Sequence, residues 1–258
     1  MSDISNPFIE NLKIFNRKER YHLLRFVMGG PFTLGDEFRK KLKVTLDGLE
    51  IPDGVDFIAM DYHLDWLAAC AALGKRRATR EDTTFPNRQL IDAGKDYWIS
   101  DTNQRKGVRQ ISGNQEDVDL LIAYRDPKDG ELVHLIFCEA KGDTGWTRKQ
   151  IVSKIERLKA IFNRSKMHLE LHFVLVGPNP KSKIASFEKY EGHFEEKIHW
   201  PDWASNTERT GIPFIQMSID FPLRKPTRID NGKGHYTDWA LETVTSFQAG
   251  AENEAEPD

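Results

Sequence analysis

Runs of apolar residues separated by turn-forming residues predict a block of strands in the middle of the chain. Residues 118–124 (VDLLIAY) and 132–140 (LVHLIFCEA) are short and mostly apolar, which is typical of buried strands. Between them, residues 126–130 (DPKDG) are strong turn formers. Residues 169–176 (LELHFVLV) form a third run of the same kind. The pattern therefore predicts a β-hairpin followed, after a gap, by another strand.

Helical periodicity fills that gap and dominates the N-terminal part. In residues 147–163 an apolar residue recurs at spacings of three or four, which places one apolar stripe along a helix: Ile151, Ile155, Leu158 and Phe162. Further helices are predicted over residues 16–28, 34–49 and 57–73, and weaker strands over 97–99 and 212–221. The order of elements predicts an α/β fold, a mixed sheet flanked by helices.

Changes in pattern divide the chain into four parts. We expect an N-terminal helical part (1–56), a core (57–180) and a C-terminal extension packed on the core (181–248), in which Trp200, Trp203 and Trp239 indicate packing. The remainder, 249–258, has four acids, no base and no aromatic residue, so it is predicted to be a disordered tail.

Composition and charge narrow the function classes. The chain has 258 residues and a formal net charge of −3, so no global basic excess marks a nucleic-acid binder. Locally, however, residues 75–110 hold nine Lys and Arg against five acids. Neither a signal peptide nor a membrane-spanning run is seen, and Cys70 and Cys138 lie in apolar runs, as buried free thiols do. We expect a soluble, cytoplasmic protein without a membrane partner.

The predicted hairpin brings two carboxylates together. Paired residue numbers in an antiparallel hairpin have a constant sum, and a turn centred on Asp129 makes that sum 258. Asp119 then lies opposite Glu139, with Cβ atoms about 4.5–5.5 Å apart. Because side chains alternate along a strand, Lys141 shares the face of Glu139.

Two carboxylates this close need a cation. At about 5 Å and an effective dielectric near 20, their repulsion is roughly 3 kcal/mol. Lys141 supplies part of the compensation, but the site stays negative. A hard divalent ion with oxygen ligands, Mg²⁺ or Mn²⁺, would complete the balance. Asp119 and Glu139 are therefore candidate metal ligands.

At these residues the chain resembles the PD-(D/E)xK superfamily of phosphodiesterases, the restriction-endonuclease-like fold. The resemblance rests on Asp119 within VDLLI, on the Glu139-Ala140-Lys141 tripeptide, and on the helix and strand that follow, although Val118 stands where the motif has proline. It implies that Asp119 and Glu139 bind Mg²⁺ and that Lys141 is the catalytic lysine. A second resemblance, to an uncharacterised bacterial family, implies no activity; it rests on residues 15–20 (FNRKER), 60–66 (MDYHLDW) and 113–119 (GNQEDVD).

The resemblance also suggests further site residues. Gln150, on the helix after the motif, could approach the scissile phosphate, or it could close a capping box with Thr147. Candidate auxiliary acids for the metal site are Glu19, Asp65 and Asp117. Candidate nucleic-acid contacts are Arg76, Arg77, Arg148 and Lys154, although a lysine on a helix can equally be solvated.

The function expected from these residues is magnesium-dependent hydrolysis of phosphodiester bonds in nucleic acid, DNA in preference to RNA, by an endonuclease or an exonuclease. The alternative is a non-catalytic module that uses the same fold to bind nucleic acid or protein. A third reading, a zinc hydrolase built on His168 and His172, would need a third ligand that the spacing does not reveal. A homo-oligomer remains compatible with all three.

Overall fold

The predicted hairpin lies at the centre of the computed structural model. The structure describes residues 6–16, 18–74, 79–81, 89–91, 98–99, 108–109, 111, 113, 116–142, 146, 148–162, 167–178, 201–204, 212–217, 224–230 and 236–243. The helices are α1 (Pro7–Phe15), α2 (Glu19–Val27), α3 (Asp36–Thr45), α4 (Leu64–Gly74) and α5 (Arg148–Phe162), with a short 3₁₀ turn at Asp202–Ala204. The strands are β1 (Phe57–His63), β2 (Thr79–Glu81), β3 (Gln89–Ile91), β4 (Trp98–Ile99), β5 (Val108–Arg109), β6 (Asp117–Arg125), β7 (Val133–Ala140), β8 (Leu169–Gly177), β9 (Phe214–Gln216), β10 (Arg224–Asp230) and β11 (Tyr236–Thr243).

The main sheet has five strands and is mixed, as expected for an α/β fold. Its strand order is β1-β6-β7-β8-β9. The β1–β6 and β6–β7 pairs are antiparallel, while β7–β8 and β8–β9 are parallel. The parallel step from β7 to β8 needs a crossover, and α5 provides it. Three two-stranded sheets, β2–β3, β4–β5 and β10–β11, accompany it.

The register of the β6–β7 hairpin is the one that the sequence predicts. Leu120 pairs with Cys138 and Arg125 pairs with Val133, so the residue numbers sum to 258 along the ladder. Asp126 accepts hydrogen bonds from two backbone N–H groups of the turn, those of Lys128 and Asp129. The aspartate at the start of the turn thus fixes the register, and with it the position of the motif acids.

The helix expected over residues 57–73 is wrong in its first part. Phe57–His63 is β1, an edge strand of the sheet, and only Leu64–Gly74 is helical. Six residues of β1 pair with β6. This pairing overrides the helical pattern, which holds only for the alanine-rich segment that follows β1. The helix begins once Leu64 donates its backbone N–H to the Glu116 carbonyl.

The N-terminal helices cover the sheet and are shorter than expected. The helices predicted over 16–28 and 34–49 are observed as α2 and α3, and α1 precedes them. Helix α1 buries Phe8, Ile9 and Leu12 in the core. The Tyr62 hydroxyl of β1 donates to the Leu12 carbonyl at 3.0 Å. The N-terminal part is therefore attached to the sheet by buried contacts.

Two apolar cores lie on the sheet. The first joins side chains of β1, β6, β7 and β8 to α1, α4 and α5, as in Leu121, Phe137 and Phe173. The second joins the alternate side chains of β6, β7 and β8 to α3, as in Ile122, Ile136 and Leu42. Helices therefore pack on both faces of the sheet, in agreement with the expected architecture.

The predictions about the cysteines, the tryptophans and the tail have different outcomes. Both cysteines are free and buried, as expected. Trp203 packs against the first core, whereas 67% of Trp239 is exposed on β11. Trp200 and the acidic tail, 249–258, lie outside the described residues. Among the helices described, none combines the length and the apolar character needed to cross a bilayer.

Gly177 closes β8 in a place that leaves no room for a side chain. A Cβ atom there would lie 2.9 Å from Cη2 of Trp146 and 3.0 Å from the Lys141 carbonyl oxygen. We expect Gly177→Ala to cost about 1–3 kcal/mol of folding free energy, as overpacking does, and to lower the melting temperature by several degrees. A matched control is Gly130→Ala, because nothing lies within 4 Å of a Cβ at that position. Equal melting of both variants would contradict the packing argument.

Candidate active site

The motif residues open onto a cavity of about 380 Å³ between the sheet and α5. The strands β6 and β7 supply the acids, and α5 supplies the opposite wall. The lining residues are Glu116, Asp117, Asp119, Glu139, Lys141, Trp146, Gln150, Ile151, Ser153 and Lys154. The structure therefore brings Asp119, Glu139, Lys141 and Gln150 together around one cavity.

The hairpin positions Asp119 and Glu139 next to each other. Asp119 lies one residue beyond the last ladder pair, Leu120 with Cys138. Its Oδ2 accepts a hydrogen bond of 2.7 Å from the backbone N–H of Ala140, the residue after Glu139. This bond ties one strand end to the other and holds the Asp119 carboxylate beside Glu139.

Glu139 is a buried acid, with only 3% of its surface exposed. Burial raises the pKa of this carboxyl from 4.5 to about 7, and the negative charge of Asp119 adds to the rise, against the opposing attraction of Lys154. A rise of this size means that burial disfavours the ionised carboxylate by more than its neighbours stabilise it. Buried acids with such shifts are concentrated in functional clefts.

The cation beside Glu139 is Lys154, not Lys141. Nζ of Lys154, on α5, forms an ion pair with Oε1 of Glu139, and both side chains are largely buried. Lys141 lines the same cavity, half-buried, and its Nζ forms no ion pair with a described residue. From the sequence, Lys141 is expected to compensate the negative charge of Glu139. Lys154 is expected to contact nucleic acid or to be solvated. Lys154 reaches Glu139 because α5 packs directly over the strand end.

A buried arginine of α5 forms further ion pairs next to the cavity. Arg157, one turn after Lys154 on α5, pairs through Nη2 with Asp65 and through Nη1 with Glu116 at 3.4 Å. Oγ of Ser153 also lies 3.4 Å from the Glu116 carboxylate. Asp65 is thus a partner of Arg157 and does not line the cavity.

Asp117 is the auxiliary acid that the structure places in the cavity. Its Oδ2 pairs with Nζ of Lys18 at 2.8 Å. Its Oδ1 is buried and has no hydrogen-bond partner in the described part of the chain. The carboxylate therefore keeps one oxygen that a further donor or cation would satisfy.

The strand beside Asp119 carries an unusual backbone. Asp61 of β1, flanked by residues paired with Leu120 and Val118, has a φ of +52°, in the left-handed region. The β1–β6 ladder omits the Asp61–Asp119 position, and Asp61 instead pairs with Nη2 of Arg20 at 2.9 Å. Strained residues are found at functional sites more often than elsewhere.

The remaining sequence-based candidates are placed as follows. Gln150 is exposed at the rim of the cavity, while Thr147, its capping partner in the alternative, is outside the described residues. Glu19 is exposed on α2 and does not line the cavity. Arg148 lies at the first position of α5. Arg76 and Arg77 lie outside the described residues.

The sequence did not reveal the ion pairs that Lys18, Arg20 and Arg157 form with acids around the cavity. Lys18 and Arg20 flank the start of α2, and Arg157 follows Lys154 on α5 at i+3, the spacing of neighbours on one helix face. That spacing was the available signal for Lys154 and Arg157. Nothing local connects residues 18–20 with Asp61 or Asp117, because only the folded sheet brings them together.

Comparisons with known proteins found no match for this chain. The arrangement of acids, lysines and cavity is therefore what bears on function. No protein-family model matches the chain, and no curated protein or solved structure matches it significantly.

Proposed function

We propose that this protein is a metal-dependent nuclease that hydrolyses phosphodiester bonds of nucleic acid, DNA in preference to RNA, on a PD-(D/E)xK core. The observation that carries the proposal is the convergence of Asp119, Glu139 and Lys141 on one cavity, from the two strands of a hairpin. The order of β6, β7, α5 and β8 supports the same core. Two neighbouring acids can hold a catalytic metal ion, and a lysine beside them can stabilise the charge that develops on a phosphate.

The residues present fit a hard divalent cation. Asp119 and Glu139 offer carboxylate oxygens, the ligand type that Mg²⁺ and Mn²⁺ prefer. Asp117 lines the same cavity, and its buried Oδ1 has no hydrogen-bond partner among the described residues. Burial, together with the negative charge of Asp119, raises the pKa of Glu139 against the attraction of Lys154, and a bound cation would favour the ionised carboxylate. Asp119 and Glu139 would hold the ion, with Asp117 beside them.

In this proposal each side chain has a defined task. The ion, when bound, would polarise the phosphate and lower the pKa of a water molecule. Asp119 and Glu139 would supply carboxylate oxygens to the ion, and the hydrogen bond from the Ala140 N–H holds the Asp119 carboxylate in place. Lys141 lines the cavity without a described acidic partner, so its ammonium can stabilise the negative charge that develops on the phosphate. Gln150, exposed beside the cavity, would contact the nucleic-acid backbone.

The alternative, a non-catalytic module that binds nucleic acid or protein, draws on one observation. Lys154 already forms an ion pair with Glu139, so a lysine on α5 neutralises the acid that the ion would need. A site of this kind can be stable without any metal. The two functions differ in their response to divalent ions, which makes them experimentally separable.

The direct test is incubation of the full chain with labelled single- and double-stranded DNA and RNA. We expect cleavage with Mg²⁺ or Mn²⁺, none with EDTA, and faster cleavage of DNA than of RNA. Glu139→Gln is the matched inactive variant, because it keeps the shape of the side chain and removes its charge. Cleavage products would be resolved on denaturing gels.

Two results would count against the proposal. One is the absence of cleavage of all four substrates with either ion, combined with unchanged binding in EDTA, which favours the non-catalytic module. The other is cleavage that Glu139→Gln retains, which would assign the activity to a contaminant or to another site.

A further inference from the structure

A cluster of histidines and acids lies far from the candidate active site, at the other end of the central strands. His134 is next to the start of β7, and Glu170 and His172 are near the start of β8. In the parallel register, His134 pairs with Glu170, and Ile136 pairs with His172. The three side chains therefore lie on one face of adjacent strands, the face that carries the second apolar core.

The ligand atoms of this cluster converge. Nδ1 of His134 lies 3.2 Å from Nε2 of His172 and 3.5 Å from Oε2 of Glu170. Oε1 of Glu170 lies 4.0 Å from Nε2 of His172. In a tetrahedral site with zinc–nitrogen distances of about 2.0–2.1 Å, neighbouring ligand atoms lie about 3.4 Å apart. The separations of His134 from His172 and from Glu170 are thus close to the edge of such a tetrahedron, while Glu170 and His172 are somewhat farther apart.

A fourth residue fixes the orientation of the first ligand. Oδ2 of Asp126 lies 3.0 Å from Nε2 of His134, so His134 donates its Nε2–H to the carboxylate and turns the Nδ1 lone pair towards His172. A carboxylate on the far nitrogen of a ligating histidine is a recurrent feature of zinc sites. His134 is only 2% exposed, so this tautomer is held inside the fold.

Two independent observations indicate that a cation belongs here. Neither Asp126 nor Glu170 forms an ion pair with a lysine or arginine in the described part of the chain, although they lie around the same imidazole. The Tyr124 hydroxyl is buried and has no hydrogen-bond partner among those residues. The ring of Tyr124 stacks on His134 with centroids 5.0 Å apart. A bound ion with a water molecule in its open position would compensate the charges and give this hydroxyl an acceptor.

We propose that His134, Glu170 and His172 form a zinc-binding site, with Asp126 orienting His134 and a fourth position open to water. Two imidazoles and one carboxylate are the donor set of a zinc site with an open position. Glu170, 52% exposed, is the side from which an ion enters. The site is distinct from the Mg²⁺ site, because it takes softer ligands and lies on the other face of the sheet. His168, the histidine that the sequence paired with His172, takes no part.

The test is titration of the chelator-treated full chain with Zn²⁺ alone, in competition with a chromophoric chelator. To keep the two sites separate, the measurement uses the Asp119→Asn, Glu139→Gln background. We expect one equivalent to bind with a submicromolar dissociation constant. Glu170→Gln and His172→Gln should each weaken binding at least tenfold, and Asp126→Asn should weaken it about ten- to hundredfold.

The controls make the assignment specific. His168→Gln should leave the affinity unchanged, because His168 is an exposed histidine that only approaches Asp129, at 3.7 Å. Co²⁺ should give the visible absorption of a tetrahedral complex, and Glu170→Gln, at an exposed position that does not threaten folding, should alter that spectrum. Absence of zinc binding at micromolar concentrations, or an affinity of Glu170→Gln and His172→Gln that equals that of the parent protein, would overturn the proposal without affecting the nuclease test.

Discussion

Glu139→Gln is expected to abolish cleavage and at the same time to stabilise the metal-free protein by up to about 3 kcal/mol at pH 8.5. The stability gain follows from the pKa of Glu139, which the fold raises from 4.5 to about 7. Each pKa unit corresponds to 1.36 kcal/mol between the two protonation states, so the ionised carboxylate costs the fold about 3 kcal/mol. Gln carries no charge and avoids that cost.

The effect has a defined pH range. The raised pKa means that the folded state holds its proton more tightly than the unfolded chain. Below pH 4.5 both states are protonated and the wild type has its full stability. Between pH 4.5 and about 7 the unfolded chain loses a proton that the fold retains, so stability declines. The two proteins should therefore melt together at low pH and separate by several degrees at pH 8.5.

Thermal melts in EDTA across this range, repeated with Mg²⁺, would check the expectation. Mg²⁺ should raise the melting temperature of the wild type and not that of Glu139→Gln, since only the wild type binds the ion. Glu131→Gln, at an exposed turn position, is the control and should follow the wild type throughout. A lower melting temperature of Glu139→Gln at pH 8.5 would mean that the ion pair with Lys154 stabilises the fold more than burial destabilises it.

Lys141→Met and Lys154→Met should have different effects on stability and on the rate of cleavage. Lys141 forms no ion pair with a described residue, so its replacement should leave metal-free stability nearly unchanged and slow cleavage by about 10²–10³. Lys154→Met leaves a buried Glu139 without its cation and should lower stability at pH 8.5 by about 1–3 kcal/mol. With Mg²⁺ bound, the ion supplies the missing charge, so cleavage should fall less than in Lys141→Met.

Single-turnover cleavage rates and melts of both variants separate the two lysines. The reverse pattern, with cleavage lost in Lys154→Met and kept in Lys141→Met, would move the catalytic lysine from the strand to α5. Lys141 would then be a residue of the cavity wall. Either pattern assigns a role to each lysine, because the two measurements, stability and rate, respond to different contacts.

The hairpin could be predicted from the sequence because its determinants are local. The turn residues 126–130 lie between two apolar runs, and they set the register that brings Asp119 to Glu139. The strand β1 could not, because its partner β6 is far along the chain and its residues continue into a helix without a break. The pairing of Glu139 with Lys154 likewise depends on how α5 crosses the sheet, which no spacing within the sequence reveals.

The histidine cluster, too, could be predicted only in part from local sequence patterns. The spacing of His168 and His172 drew attention to the correct strand, but the second imidazole comes from His134 on the neighbouring strand. A spacing of four residues is visible in a sequence, whereas a cross-strand neighbour requires the parallel register of β7 and β8. Local patterns therefore located one of the three proposed ligands, His172.

The pairing of β1 with β6 has a consequence for how this chain can diversify. His63 and Asp117 are direct cross-strand partners, and Leu64 is hydrogen-bonded to Glu116, so the chain leaves the sheet and returns to it at the same point. The entropy of closing such a loop grows only with the logarithm of its length, roughly 0.6 kcal/mol for each doubling. A change in the number of residues between α4 and Glu116, where the basic stretch lies, therefore has a small cost in closure entropy while both ends stay anchored. Both ends of this segment adjoin the strand that carries Asp117 and Asp119, so under the proposed function its length could change which substrates reach the acids without moving the acids themselves.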